Sequence, residues 1–122
     1  MLLITVIGLK DGRFARDFCL ADTLVLLDQH GSVVLHMPSP MRSAPAAGAS
    51  VLLGIFQHQR VERVIVGAIG DALLAALQQV SIEVFKAPRS FSLRGQQVCD
   101  LTGCIRLEPV APLTRVLEEG LL

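Results

Sequence analysis

The chain has 122 residues and a mass of 13.1 kDa; 52% of its residues are hydrophobic, 18% are charged, and there is neither Trp nor Tyr. Area scaling sets about 19,000 Å² of unfolded surface against roughly 6,400 Å² folded, enough burial for one domain over residues 1–122. Eleven basic residues balance eleven acidic ones, which argues against a nucleic-acid or anionic-lipid binder, and the apolar runs fall well short of the roughly 18 residues of a membrane span.

Leu2 to Ile7 is a short apolar run ending at Gly8, the pattern of a buried strand, and Lys10-Asp11-Gly12 follows as loop chemistry. Asp22 to Asp28 and Ser32 to His36 flank Gln29-His30-Gly31, which reads as an antiparallel hairpin. Prolines at 38, 40 and 45 keep Met37 to Gly48 irregular until a proline can sit in the first turn of a helix running to about Gln59, with Leu52, Ile55 and Phe56 at helical spacing. Val61 to Val66 is a β-branched strand entering Gly67-Ala68-Ile69-Gly70. The next helix has Asp71 in its first turn and Leu73, Leu74 and Leu77 as its buried stripe. Ile82 to Phe85 supplies another strand and Leu113 to Glu119 a terminal helix. The insertion from Ala87 to Ala111 reads as a functional loop or an extra hairpin. The order predicts an α/β domain: a mixed five-stranded sheet with an antiparallel hairpin, parallel crossovers and helices packed on it.

Chemistry has few places to reside. Gly67-Ala68-Ile69-Gly70 sets small residues at a helix N-terminus, where backbone N–H groups can meet an anion, although the same pattern serves simple close packing. The dinucleotide fingerprint and the nucleotide P-loop are both missing. So are a Gly-x-Ser-x-Gly elbow and a carboxylate within the first strand, so ordinary hydrolase and nuclease chemistry is disfavoured and no enzyme is expected. Three cysteines are an odd number, and the opening Met-Leu-Leu-Ile has no basic leader, so a reducing cytoplasm is expected and the thiols act, if at all, as ligands or redox groups. Cys99 and Cys104 bracket a glycine-containing turn that suits a soft metal, zinc included. A full site needs further ligands, from Cys19, His36, His58 or elsewhere. Arg13 and Arg16 lie close to Cys19, and Lys86, Arg89, Arg94 and Arg106 form a second basic stretch.

Asp17-Phe18-Cys19-Leu20-Ala21-Asp22-Thr23-Leu24-Val25-Leu26-Leu27-Asp28, Gly48-Ala49, Val64-Ile65-Val66-Gly67-Ala68-Ile69-Gly70 and Leu117-Glu118-Glu119-Gly120-Leu121 together resemble one family. It is the dinitrogenase iron–molybdenum cofactor biosynthesis family, the NifX/NafY-type domain also found at the C-terminus of NifB. The likeness covers about residues 1–86 and the last ten. It implies an RNase H-like three-layer α/β fold and a cytoplasmic carrier of an iron–sulfur or iron–molybdenum cluster, working with donor and acceptor proteins rather than with nucleic acid or a membrane. The residues such a carrier would use here are Arg13, Arg16, Asp17, Cys19, Gly48, Gly67, Ala68, Ile69 and Gly70, with Cys19, Cys99 and Cys104 as candidate metal ligands, the last two in an insertion beyond the family's usual core. Asp17 stands where the family commonly has His and Cys19 where it has Gly. Cys19 then substitutes as a soft ligand, or the chain is a cluster-free protein-interaction or regulatory domain on the same fold.

Overall fold

The computed structural model describes residues 3–43, 45–88 and 103–108. Seven strands form one mixed sheet: β1 Ile4–Lys10, β2 Arg13–Phe14, β3 Thr23–Leu27, β4 Val33–Pro38, β5 Val61–Val66, β6 Glu83–Lys86 and β7 Ile105–Arg106. Their order is β4-β3-β1-β5-β6-β7, with β2 paired separately to β1. Three helices, α1 Pro40–Ser43, α2 Pro45–His58 and α3 Asp71–Gln79, make the crossovers, and β1–β5 and β5–β6 are parallel as strand-helix-strand units require.

The period-2 alternation of the strands divides the core in two. Ile4, Val6, Leu24, Leu26, Val64, Val66 and Val84 face one side and meet Met41, Leu52, Phe56, Leu73, Leu74 and Leu77 from the helices. Ile7, Val25, Leu27, Ile65 and Ala87 face the other side, where Leu9, Phe14, Phe85 and Cys104 pack against them. Burial on both faces explains why the central strands read as unbroken apolar runs. Thr5 is buried on the second side and accepts a hydrogen bond from Arg63 Nε at 2.5 Å.

Several sequence expectations shift. The five long strands are present, and two short ones join them, giving seven among the described residues rather than five. The first strand passes through Gly8 instead of ending there, because Gly8 serves a close contact: a Cβ on it would stand 2.8 Å from that of Ala21. Lys10-Asp11-Gly12 is not a loose loop. Asp11 and Gly12 both have positive φ (52° and 77°), the two-residue hairpin geometry whose twist matches its strands, and it pairs Lys10 with Arg13 and Leu9 with Phe14. Met37 and Pro38 extend β4, and each later proline opens a helix, where its missing N–H costs nothing. The described part of the insertion adds one short strand, β7, which pairs antiparallel with β6, and Arg106 Nε lies 3.3 Å from a Glu83 carboxylate oxygen. Cys99, most of the insertion and the terminal helix expected at 113–119 lie outside the described residues.

Candidate functional site

At the carboxyl ends of the parallel strands, where ligands of open α/β sheets gather, the chain builds a rim from two loops. The first leaves β2 and turns through a short 3-10 segment, Phe18–Leu20, and the second leaves β5 at Gly67. The loops are laced together by backbone hydrogen bonds. Ala68 N donates to the Arg16 carbonyl at 2.5 Å and Phe18 N donates to the Ala68 carbonyl at 2.9 Å. Asp17 and Ala68 thereby form a parallel bridge. Phe18 is buried as the anchor of this turn, and Asp17 caps it by accepting from the Cys19 backbone N–H at 3.0 Å.

Gly67 makes the lacing possible. A Cβ there would come within 2.5 Å of the Arg16 carbonyl oxygen and 2.9 Å of Arg16 Cα. Its small size therefore serves contact between two stretches of main chain, and the Ala68 N–H points at Arg16 rather than at an incoming anion. Ile69 is half-buried against the helical core, and Gly70 is the exposed N-cap of α3 with Asp71 next to it. That carboxylate already lies in the positive end of the helix dipole, so a second anion at this helix end would meet it. Gly48 lies inside α2, where a Cβ would collide with the Pro40 carbonyl oxygen and stand 2.9 Å from the Pro40 carbonyl carbon. It packs α2 against α1 and takes no part in the rim.

Along the outer side of the first loop runs an open groove of about 570 Å³ lined by Lys10, Asp11, Arg13, Phe14, Ala15, Arg16, Asp17 and Leu20. Three cations and two carboxylates line it. Lys10 and Arg13 are cross-strand partners in the hairpin, and both are exposed. Like charges directly opposite each other destabilise a strand pair, so this arrangement runs against stability alone and suits an anionic guest. Arg16 is held in place, with Nη1 donating to the Pro88 carbonyl at 3.3 Å and the guanidinium carbon 5.7 Å from the centre of the Phe14 ring. Behind the groove, Asp22 accepts from the Asp11 backbone N–H at 3.0 Å and from the Thr23 hydroxyl at 2.9 Å. The Asp11 N–H and the Thr23 hydroxyl, in that order, hold the Asp22 carboxyl below the usual aspartate range, and the charges of Arg42 and Lys10 add to this. Asp22 thus pins the Asp11-Gly12 turn from below.

Arg13, Arg16 and Asp17 therefore come together, with Gly67 and Ala68 supporting them from behind. Cys19 is half-buried against the helical core and is not among the groove-lining residues. Cys104 packs on the opposite side of the sheet, so these two thiols back onto different cores. Among the described residues no cluster of three or more His, Cys, Asp or Glu could hold a metal ion. The sequence reading missed Lys10, Asp11, Phe14 and Leu20. The signal for them was Asp11-Gly12 as a tight-hairpin dipeptide, which places Lys10 opposite Arg13 without any knowledge of the fold.

No family model matches the chain, and no curated protein matches it by sequence. Solved structures do. A crystal structure from Methanocaldococcus jannaschii, described provisionally as a dinitrogenase, superposes with a TM-score of 0.64 at 10% identity over 90% of this chain and 99% of that one. An NMR structure under the same description, from Methanococcus jannaschii, gives 0.57 at 11% identity over 90% and 97%. At such identities the likeness shows a shared mixed α/β fold. Among the described residues no helix is long and apolar enough to cross a membrane.

Proposed function

We propose that this chain is a non-catalytic carrier domain, RNase H-like in its layering, for an anionic metal–sulfur cargo of the iron–sulfur or iron–molybdenum type. It would work in the cytoplasm between a donor and an acceptor protein. The observation that carries this reading is the groove in which Lys10 and Arg13 face each other across a two-residue turn, with Arg16 fixed beside them. The fold shared with the provisionally described dinitrogenase supports the cargo class, and the resemblance in the Asp17 to Asp28 and Val64 to Gly70 stretches points the same way.

Reversible carriage needs a grip that can be released. Exposed cations attract a bulky anion and orient it through charge-assisted N–H donors, and their hold loosens when a partner presents stronger ligands. Arg13 and Arg16 supply planar forks of donors, whereas Lys10 supplies a mobile point charge. Cys19, behind the rim, is the soft donor available if the cargo is ligated directly.

The test is anaerobic titration of pure protein with a soluble anionic iron–sulfur cluster, followed by charge-transfer absorption and by gel filtration. The expected result is co-elution that weakens in Arg13→Ala and Lys10→Ala and falls with added salt. Loss in Cys19→Ala alone would move the grip from charge to thiolate. Failure of the wild type to retain cluster would remove the carrier reading and leave a cluster-free interaction domain, a reading favoured by one feature: Leu20, 60% exposed, lies on the groove wall.

A further inference from the structure

Among the described residues β4 ends the sheet on one side. Its residues, Val33-Val34-Leu35-His36-Met37-Pro38, include no Lys, Arg, Asp or Glu, and Val33 and Val34 are 63% and 51% exposed. Soluble proteins commonly protect such an edge with charges. Here the register skips Val34, a bulge confined to the start of the strand, and Leu35 to Pro38 pair regularly with β3.

The ladder shows which backbone groups face outward. Ser39 N donates to the Asp22 carbonyl at 3.0 Å, one step beyond the Thr23–Pro38 pair. Antiparallel bonds alternate, so Met37 and Leu35 exchange bonds with Leu24 and Leu26, while the N–H and C=O of His36 and the C=O of Pro38 point away from β3. Pro38 occupies a position whose N–H the ladder does not use, so it leaves the pairing with β3 intact.

Charge decides what fits this edge. Asp28, at the hairpin tip before β4, accepts from the N–H groups of His30 and Ser32 at 2.8 and 3.0 Å. Arg42, just past the other end, is 70% exposed and only loosely paired with Asp22 at 3.8 Å. One end of the strand thus carries the Asp28 carboxylate and the other the exposed Arg42 guanidinium. An antiparallel copy of the same strand brings opposite ends together twice, with no charged side chain between them to repel it.

We propose that β4 docks antiparallel on β4 of a second copy of this chain, about a twofold axis close to His36, so that the sheet continues through both molecules. The contact is isologous: each His36 N–H meets the other's carbonyl. A strand-only contact falls short of the roughly 1,200–2,000 Å² of stable complexes, so the expected dissociation constant is about 10–100 µM. The proposal does not depend on the groove, which lies at β1 and β2.

Analytical ultracentrifugation across that concentration range tests it. Wild-type protein is expected to dimerise, and His36→Pro, which removes the outward N–H but no bond to β3, to raise the dissociation constant by about tenfold or more. Asp28→Asn keeps the turn's acceptor oxygen and Arg42→Gln lies outside the strand. Each should raise the constant by about fivefold, as should added salt. These two variants decide the matter even if circular dichroism shows His36→Pro unfolded. A wild-type monomer at every concentration, or a dimer that none of the substitutions weakens, overturns the proposal.

Discussion

Replacing Gly67 by Ala probes the rim most directly. The new methyl would stand 2.5 Å from the Arg16 carbonyl oxygen, 2.9 Å from its Cα and 3.1 Å from its carbonyl carbon. All three are main-chain atoms, so no side chain can swing aside and the two loops must separate. Separation stretches both lacing hydrogen bonds, Ala68 N to Arg16 O and Phe18 N to Ala68 O. At about 1 kcal/mol for each bond and about 1–2 kcal/mol for the overpacking, the expected loss is roughly 3–4 kcal/mol. For a chain of this size that is a fall in Tm on the order of 10 °C. Gly54→Ala is the matched control: it lies exposed in α2 with open space where its Cβ would go, and it should gain roughly 0.5–1 kcal/mol from helix propensity. Urea denaturation of the pair, read by far-ultraviolet circular dichroism, gives both numbers. Equal midpoints for wild type and Gly67→Ala would refute the idea that main-chain contact between the loops requires glycine.

Gly12→Ala forces a side chain onto a residue with φ of 77°. It should cost about 1 kcal/mol and weaken anion binding by loosening the Lys10–Arg13 pair, which thermal melts and cluster titration measure together. Phe56→Ala empties a fully buried position between α2 and the sheet and should cost about 3–5 kcal/mol by urea midpoint. Thr5→Val leaves the half-buried Arg63 Nε without its hydroxyl partner, an expected loss of about 1–3 kcal/mol at the same assay. The lowered pKa values of Asp22 and Asp28 have a definite sign. Their native states hold protons less tightly than the unfolded chain, so the stability they supply is full above the ordinary aspartate pKa of about 4 and is lost as pH falls below it. Asp22→Asn should therefore show a shallower drop in Tm between about pH 4 and pH 2 than wild type, and an identical slope would count against these hydrogen bonds.

Much of the architecture was legible because burial imposes simple periods. Val61 to Val66 and the Leu73, Leu74, Leu77 stripe appear where alternation and helical spacing place them. Glycines misled, since one residue type serves several purposes. Gly8 read as a strand end and Gly48 as a helix start near a ligand. In the fold each makes room for a neighbour that local sequence cannot reveal, Ala21 for the first and the Pro40 carbonyl for the second. Gly67 to Gly70 had the composition of an amide cradle, yet the Ala68 N–H is taken by a carbonyl some fifty residues earlier in the chain. Arg13, Arg16 and Asp17 were identifiable from their proximity in sequence. Lys10 is legible only through the Asp11-Gly12 dipeptide, whose tight turn sets it opposite Arg13.

The facing pair of Lys10 and Arg13 also couples occupancy to folding. Without a bound anion the hairpin sets two like charges opposite each other, which the Asp22 carboxylate behind Lys10 offsets only in part. Whatever negative species settles between those side chains cancels that penalty only in the native state, so a loaded molecule resists unfolding and proteolysis more than a vacant one. Under the carrier role proposed above, cellular turnover would then remove vacant molecules first and spare loaded ones.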